Sequence, residues 1–339
     1  MSYNNITELA NLMNDSLLGK VGLFSNGAEK YTDQAIREAF FEILGDDKLT
    51  WQNFANNQRA IYSVMENVVG TNLPLAWENS DFYDAFVDKK NGRMGDQNAF
   101  VVDDNSVLVA SSFSGGHWQT ERQKLQGKKE FSVTPSWIYI RVYDELDRFL
   151  KGTVTLTEMI TKIQKGFQNA IDEMVFASFN GIGTYLPAKF QESGTYDRAT
   201  LNDLIQRVQI ASQKNVILAG TRTALAAVAE GMGTAWISEG AKQELATTGM
   251  VVENIGLPCK ALLIPQTFIR GTYDFKVDNN ALFVIPEGTK PVKLYYEGDV
   301  RAKNMSEQDT DDMTIDSQLQ VRVGCGIVCD NLIGKYTIV

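Results

Sequence analysis

The stretch that decides the fold runs from residue 131 to residue 182 and reads FSVTPSWIYIRVYDELDRFLKGTVTLTEMITKIQKGFQNAIDEMVFASFNGI. Its first part is rich in β-branched and aromatic residues, which favour a strand. Because successive side chains of a strand point to opposite faces, three aromatic rings share one face: Trp137, Tyr139 and Tyr143. Aliphatic side chains share the other face: Ile138, Ile140 and Val142. Both faces are therefore apolar, and each needs a partner surface.

The second part of the same stretch predicts one long helix. Thr155 and Glu158 have the spacing of a capping box at its start, and Gly181 is suited to end it. Apolar residues spaced by three or four positions form a single stripe: Ile160, Ile163, Phe167, Ile171 and Met174. A helix of about 25 residues is roughly 37 Å long, far above the average for globular proteins. We therefore expect a structural strut.

The region before the strand predicts an extended hairpin. Turn residues in NGRMGDQN precede the β-rich segments AFVV and VLVASSF, and the polar stretch GGHWQTERQKLQGKKE follows with glycines at both ends. We expect the tip of this hairpin near residues 114–130. A two-stranded ribbon is marginal in water on its own, so its apolar rows need burial against something else, and a neighbouring subunit would supply it.

The rest of the chain divides into a helical N-terminal part and a mixed α/β module. Residues 1–94 have helical spacing, with Thr32 and Asp33 as N-cap candidates. After residue 199 we predict helices in RATLNDLIQRVQIAS, TRTALAAVAE and SEGAKQELATT, and strands in NVILA, VVENI, KALLIP, ALFVIP and VKLYY. The segments QLQVRVGCGIV and KYTIV are predicted to be closing strands.

The overall composition is that of a folded, reduced protein. The chain has 339 residues, 44% hydrophobic and 22% charged, with a formal net charge of -10. This charge disfavours direct binding to phosphate backbones, although a protein that merely surrounds DNA would benefit from an acidic surface. No apolar run reaches the roughly 20 residues that a membrane span requires, and no secretory signal is present, so we expect cytoplasmic synthesis. Three cysteines do not suggest a disulfide framework: Cys259, Cys325 and Cys329.

The segment NVILAGTRTALAAVAE raises the question of a phosphate site, because a strand followed by a helix N-terminus can bind anions. Its turn, AGTRTA, has a single glycine and lacks both the G-x-G-x-x-G pattern and the GK[ST] ending. We interpret it as a plain strand-to-helix turn with Thr221 as N-cap. GIGTYL and GMGTAW fail the same patterns and are interpreted as helix exits.

Other motifs that could carry chemistry favour structural interpretations. His117 is the only histidine, which excludes a two-histidine metal site and leaves one imidazole for catalysis. On a strand, Cys325 and Cys329 would lie roughly 13 Å apart, too far to share a zinc ion, so we interpret them as small core residues. The acidic run EQDTDDMTID lacks the glycine and glutamate of a calcium loop, which favours a solvated loop or an ion-pair patch. We therefore predict no enzyme, no cofactor and no metal.

Basic residues of the hairpin alternate with Glu121 and Glu130, which suits charge pairing at a subunit contact better than a DNA patch. Together with two residues near the predicted tip, they form the candidate inter-subunit contacts: His117, Trp118, Arg122, Lys124, Lys128 and Lys129.

The order of these parts resembles the major capsid proteins of tailed bacteriophages, which share the Hong Kong 97 fold, an α+β architecture. Residues 131–182 are similar to the family's passage from the E-loop hairpin to the spine helix, including a Phe-x-x-Phe-Asn-Gly-like exit. NVILAGTRTALAAVAE resembles the first strand and helix of the axial domain. The resemblance implies five parts: an N-terminal arm, mostly helical (1–94), the E-loop hairpin and return strand (95–150), the spine helix and peripheral domain (151–199), the α/β axial domain (200–299), and return strands of the peripheral domain (300–339).

The resemblance also implies a function. Such proteins assemble as hexamers and pentamers into an icosahedral head shell around double-stranded DNA, with the E-loop lying over an adjacent subunit. We accordingly expect a virion protein that is assembled in the host bacterial cytoplasm and encloses DNA without sequence-specific binding. Its partners would be other copies of itself, together with scaffolding, portal and decoration proteins, and no membrane.

Two further family traits give expectations. Some members link an E-loop lysine to a neighbour's asparagine. Lysines 124, 128 and 129 and Asn331 are available here, but no motif fixes the match. Many relatives carry a scaffolding segment that a protease removes. Since the sequence starts at Met1, we expect the arm to persist in the particle and any scaffolding to be a separate chain.

Two alternatives to a phage capsid protein stay open from the sequence. Within the same fold, an encapsulin-like compartment would enclose an enzyme instead of a genome, although the long N-terminal arm favours the virus. From a different class, a soluble α/β enzyme would use His117 with an adjacent acid.

Overall fold

The computed structural model describes the chain in segments. The residues it describes are 10, 11, 13, 14, 51–75, 77, 80–96, 98–102, 122–124, 127–145, 156–231, 240, 243, 257–269, 271–304, 314–329 and 331–339.

Five helices are described: α1 (Trp51–Leu75), α2 (Asp81–Phe86), α3 (Leu156–Gly181), α4 (Arg198–Ser212) and α5 (Arg222–Glu230). Short 3-10 turns follow α3 at Ile182–Tyr185 and Ala188–Phe190. The predicted long helix is confirmed: α3 has 26 residues and ends at Gly181. The predicted capping residue Thr155 lies outside the described residues.

Twelve strands are described: β1 (Val87–Gly92), β2 (Ala99–Val102), β3 (Lys129–Ser132), β4 (Ser136–Glu145), β5 (Gln191–Gly194), β6 (Val216–Gly220), β7 (Lys260–Leu263), β8 (Ala281–Pro286), β9 (Val292–Glu297), β10 (Arg301–Asn304), β11 (Thr314–Ile327) and β12 (Gly334–Ile338).

The first sheet is organised around the long strand β11. Along one side β11 pairs antiparallel with β4, from Thr314 opposite Glu145 to Val323 opposite Ser136. Along the other side it pairs antiparallel with β10 and then with β9, and β1 adds to β9 in parallel. The strand β4 thus forms one edge of the described sheet.

One face of the first sheet is covered by α3. The apolar stripe predicted for this helix is buried at Ile160, Ile163, Phe167 and Ile171, while Met174 is half-buried at the margin of the same core. The inner row of β4 packs against this core, as the alternation predicts: Ile138, Ile140 and Val142. Helix α1 packs against α3 and also directly against β10, where the Ala302 amide donates to Glu66 Oε1, so both helices cover this face.

The second sheet has the strand order β5-β12-β8-β6-β7 and is covered on both faces. Helices α4 and α5 bury one face through a separate core that includes Leu204, Leu225 and Tyr336. The C-terminal end of α3 covers the opposite face, where the rings of Phe179 and Phe283 lie 4.7 Å apart between centroids. All six residues of β8 are buried, as expected for a strand enclosed on both sides.

The structure describes the base of the predicted hairpin, which consists of strands β2 and β3 and which we call the ribbon. Strands β2 and β3 pair antiparallel, from Ala99 opposite Ser132 to Val102 opposite Lys129. Phe100 and Val133 pack with Tyr295 on the outer face of the first sheet. The ribbon approaches β11 closely at Gly324, where an added Cβ would lie 2.8 Å from Val133 and 3.0 Å from the backbone at Thr134 and Pro135. The glycines of β11 therefore form the seat of the ribbon.

The grouping of strands into sheets differs from the expected domain boundaries. The strand in 292–297 was expected with the α/β module, but it pairs with β11 and β1 in the first sheet. Conversely, the closing strand KYTIV and the strand at 191–194 lie in the second sheet. β1, inside the stretch expected to be a mostly helical arm, also belongs to the first sheet. These pairings join segments far apart in the chain, which local residue patterns do not specify.

Several sequence predictions lie partly or wholly outside the described residues. The helix expected in SEGAKQELATT is represented by Gly240 and Gln243, both helical. The caps Thr32 and Asp33, the strands VLVASSF and VVENI, and the hairpin residues 103–121 are outside the described part of the chain. Helix α4 spans the residues that were predicted for it.

Candidate assembly surfaces

The outer face of the first sheet carries exposed aromatic rings. Alternation along β4 directs Trp137 and Tyr139 away from the core, and these side chains are 44% and 64% exposed. Val101 and Phe131 of the ribbon are also exposed. Within the described part of the chain, these side chains lack the apolar cover that the inner row receives from α3.

Two arginines flank Trp137 on that face. The guanidinium carbons of Arg301 and Arg322 lie 5.5 and 5.7 Å from the ring centroid, within the range of cation–π attraction. Arg322 Nη1 also donates to Glu297 Oε1 at 3.1 Å, and the same oxygen accepts from the Gly95 amide at 3.0 Å. Glu297 is buried, and a buried carboxylate is costly unless it is hydrogen-bonded. These two donors meet that requirement.

A groove lies between the flank of α3 and the inner row of β4. Its volume is about 1020 Å³, and Met159 and Ile163 of α3 line it together with Ile140. The third wall is the turn at 267–273, which includes Phe268 and Tyr273. Lys162, Asn169 and Glu173 of α3 also line it, so the groove combines aliphatic and aromatic walls with polar groups, as binding grooves commonly do.

The third wall belongs to a small hairpin at residues 266–277, which we call the aromatic hairpin. Phe268 and Phe275 pair across it, with stacked rings 5.4 Å apart, and Tyr273 lies edge-on to Phe268. Tyr273 is 92% exposed. The hairpin is attached to α3, because Lys276 Nζ lies 2.9 Å from Glu173 Oε1 and Asn180 Nδ2 donates to the Lys276 carbonyl at 2.7 Å.

Beneath these surfaces, Asp172 of α3 ties the helix to the segment around α2. Trp77 Nε1 donates to Asp172 Oδ1 at 2.7 Å, and the Tyr83 hydroxyl donates to the same oxygen. Burial raises the pKa of Asp172, and the two hydrogen bonds oppose that shift. Burial, reinforced by Asp172, also raises the pKa of Tyr83, and burial raises that of the adjacent Tyr296. This cluster supports the scaffold, since it is covered by the core.

The candidate inter-subunit contacts of the sequence fall into two groups. His117 and Trp118 lie outside the described residues. Four basic side chains are exposed around the ribbon: Arg122, Lys124, Lys128 and Lys129. Their role at a subunit contact stays a prediction.

The asparagine considered for a cross-link is buried inside its own chain. Asn331 Nδ2 donates to Thr289 Oγ1 at 2.8 Å, and both residues are buried. This position does not present the amide to a lysine of a neighbouring subunit.

The turn in AGTRTA is an architectural one, as predicted. Thr221 caps α5 by accepting from the Ala224 amide at 3.4 Å, and its own hydroxyl donates to the Asn279 carbonyl at 2.7 Å. A Cβ at Gly220 would lie 2.6 Å from Leu282, so the space above the turn is filled. The helix exits at Gly181 and Gly231 are also confirmed.

The cysteine prediction is confirmed for Cys325, which packs against the core, and wrong for Cys329, which is exposed. The reason is that β11 ends at Ile327, before Cys329. None of the three cysteines, all of which are described, is in a disulfide, and burial raises the pKa of Cys259 to about 12. Of the acidic run, residues 307–313 lie outside the described part, and residues 314–316 belong to β11 and not to a loop.

Two observations on the described residues concern other functions. They contain no group of three or more acidic, histidine or cysteine side chains placed to hold a metal ion. No helix among them combines the length and apolar character needed to cross a bilayer.

The fold defined by these elements is that of phage capsid subunits. The capsid of the cyanophage P-SCSP1u matches with a TM-score of 0.50 and 11% identity, over 76% of this chain and 88% of that chain. The capsid of a native GTA particle matches with a TM-score of 0.51 and 12% identity, over 75% and 88%. The mature capsid of bacteriophage PhiM1 gives a TM-score of 0.47 at 10% identity, over 76% of this chain and 86% of that chain.

The chain belongs to the family described as "SPbeta prophage-derived putative capsid protein YonB", whose model matches residues 8–337. It is a major capsid protein that forms the phage head shell and is located in the virion. No curated protein matches it.

Sequence reasoning missed two features of these surfaces. The first is the cluster of Trp137, Arg301 and Arg322, three residues from separate strands that leave no local pattern. The second is the aromatic hairpin, for which a signal was available: the segment TFIRGTYDFK places aromatic residues on both sides of a glycine in a tight turn. Gly271 has a φ of +88°, a conformation that favours glycine.

Proposed function

We propose that this capsid protein is a Hong Kong 97-type subunit that assembles into hexamers and pentamers, and that these close an icosahedral head around the double-stranded DNA of a tailed phage. The observation that carries the proposal is the unequal cover of the two sheets. Within the described residues, the second sheet is enclosed by its own chain, whereas the first leaves Trp137, Tyr139 and the groove beside α3 exposed. Exposed apolar surface of this kind marks an interface.

The elements are assigned as follows. Helix α3 is the spine, the first sheet belongs to the peripheral domain and the second sheet to the axial domain. The ribbon is the base of the E-loop, which would lie over an adjacent subunit. This assignment moves the strand at 292–297 into the peripheral domain and the C-terminal strand into the axial domain, because strand pairing defines a domain better than chain order.

The net charge of -10 supports enclosure of DNA without tight binding, since most of the surface repels phosphate. Scaffolding, portal and decoration proteins would be the further partners. The shell role requires no catalysis.

Electron microscopy of the purified protein, over a range of salt and protein concentrations, tests the proposal. We expect closed shells or open sheets of hexamers. Monomers of uniform size under every condition would contradict it. Nuclease treatment of particles from a producing cell distinguishes a phage head from an encapsulin-like compartment. Protected duplex DNA supports a phage head, and an enclosed enzyme without DNA would indicate an encapsulin-like compartment.

A further inference from the structure

The ribbon is held to the first sheet by a small apolar contact. Phe100, Val133 and Tyr295 are buried together and form a cluster that is separate from the two main cores. The ribbon is otherwise open on one strand, since all four residues of β3 are exposed. Because apolar attraction is non-directional, hydrogen bonds are better suited to fix the angle at which the ribbon leaves the sheet.

The first such bond is at the turn between β1 and the ribbon. Strand register pairs Gly92, the last residue of β1, with Glu297. The Glu297 side chain is 7% exposed, and its Oε1 accepts from the Gly95 amide at 3.0 Å. Gly95 has a φ of +87°, a left-handed conformation that favours glycine. A buried carboxylate therefore binds the backbone of the turn that leads into the ribbon.

Glu297 is itself fixed from the central strand of the sheet. The same oxygen accepts from Arg322 Nη1 at 3.1 Å, and Arg322 lies on β11. Among the described residues, Glu297 is the one hydrogen-bond acceptor of this guanidinium, whose Nε is buried without a partner. Without the carboxylate, the guanidinium would lose its acceptor and the turn would lose its bond to the sheet.

The second bond is at the first residue of β2. Lys90 Nζ donates to the Ala99 carbonyl at 2.7 Å and lies 5.8 Å from the centroid of the Phe100 ring. Lys293 Nζ lies at 5.8 Å from the same centroid and is paired with Asp88 Oδ2 at 2.9 Å. The ring that attaches the ribbon is therefore flanked by two ammonium groups, from β1 and from β9, both within the range of cation–π attraction.

We propose that Glu297 and Lys90 are positioning residues, which set the direction in which the ribbon leaves the first sheet and so place it for contact with an adjacent subunit. Their two bonds hold the segment that joins β1 to β2, one at Gly95 and one at Ala99, where the ribbon begins. With the apolar cluster, the ribbon has three separate points of attachment, which define a direction better than the cluster alone. The consequence for the shell rests on the proposed assembly function.

A distance measured on the unassembled protein tests the positioning. One spin label is placed on the ribbon, at Glu130→Cys, and the other between α4 and β6, at Lys214→Cys, since both side chains are exposed. Cys329, which is also exposed, is replaced by Ser so that it takes no label. Double electron–electron resonance should give one narrow distance distribution for this protein, and a broad or shifted one after Glu297→Ala or Lys90→Met.

Conservative and matched variants separate positioning from stability. Glu297→Gln keeps an acceptor oxygen, so we expect it to restore the narrow distribution that Glu297→Ala loses. Lys90→Met keeps an apolar stem beside Phe100 and removes the ammonium. Because Lys90 is exposed, urea denaturation of this variant should match that of the native chain. Glu192→Ala, which removes a carboxylate bonded to Arg207 at 3.3 Å in the second sheet, should leave the distance unchanged.

Electron microscopy of the same variants, without labels, tests the consequence for assembly. Closed shells should be lost or reduced with Glu297→Ala and Lys90→Met and retained with Glu297→Gln. An unchanged distance distribution in Lys90→Met, or in a folded Glu297→Ala, would overturn the inference, as would normal shells from both. If Glu297→Ala does not fold, the distribution of Lys90→Met decides. Failure of the native chain to assemble would instead contradict the shell function, because the distances are measured on unassembled protein.

Discussion

The two sheets of this protein differ in how the face that points away from α3 is covered. Both have one face on α3, where apolar side chains meet a shared core. The second sheet covers its other face with α4 and α5 of the same chain. The first sheet covers part of its other face with the ribbon and leaves aromatic and basic side chains in solvent. Within the described residues, one sheet is therefore covered on both faces by its own chain, whereas the other leaves a face that the proposed assembly would cover.

The largest expected effect comes from breaking the junction between α3 and the second sheet. Phe179 is fully buried, and its ring contacts those of Phe82 and Phe283. Replacing Phe179 with Ala should lower the free energy of unfolding by about 3–5 kcal/mol, because it leaves a cavity between the layers. Urea denaturation measures this loss. Tyr273→Ala, which truncates an aromatic ring in solvent, is the control and should change it by less than about 0.5 kcal/mol.

A smaller effect is expected at the seat of the ribbon. Gly324→Ala would place a methyl group 3.0 Å from the backbone at Thr134 and Pro135, which cannot rotate away. We expect a loss of about 1–3 kcal/mol in unfolding free energy, together with impaired assembly, because the ribbon must shift. Gly127→Ala, whose Cβ would meet nothing within 4 Å, should behave as the native chain. Equal effects of the two changes would refute a specific seat.

Asp172 provides a test that depends on pH. Asp172→Ala removes the acceptor of Trp77 and Tyr83 and should cost about 1–3 kcal/mol, whereas Asp172→Asn keeps an acceptor oxygen. Because the pKa of Asp172 is raised in the folded state, the native carboxyl is most stabilising when protonated, and that stability is lost as pH rises through the folded pKa.

The unfolding free energy of the Asn variant should therefore equal or exceed that of the native protein at neutral pH. The native protein should gain relative to the Asn variant as pH falls. Urea denaturation at several pH values measures both. A native protein that loses stability relative to the Asn variant on acidification would contradict the raised pKa.

A substitution on the outer face of the first sheet should affect assembly without affecting the stability of the monomer. Tyr139→Ala should alter unfolding by less than about 0.5 kcal/mol, because the ring is 64% exposed, yet it should reduce assembly. Its neighbour Ile138 packs against the core. Ile138→Ala should therefore lower the free energy of unfolding by about 2–4 kcal/mol. Light scattering during assembly and urea denaturation together separate the two outcomes. Normal assembly of the Tyr139 variant would remove that ring from the interface.

The smallest effect is expected at His117. Replacing it with Ala should leave stability and shell formation unchanged, because a shell subunit needs no imidazole. Electron microscopy and denaturation check this expectation. Loss of a measured catalytic activity with normal shells would instead support an enzyme.

Local features of the fold were predictable because their causes lie within a few residues. The stripe of α3, the alternation of β4 and the Thr221 cap each follow from side-chain period or from one hydroxyl beside a helix start. The error at Cys329 shows the limit of such reasoning, since a strand's last residue depends on where its partner ends.

By itself the sequence determined the long helix, the two-sided strand after the hairpin and the acidic balance of the chain. Only the tertiary structure decided which strands share a sheet, that glycines of β11 seat the ribbon, and that Arg301 and Arg322 flank Trp137. The physical reason is that strands pair through backbone groups common to all residues, so the choice of partner is made by the burial of the whole layer.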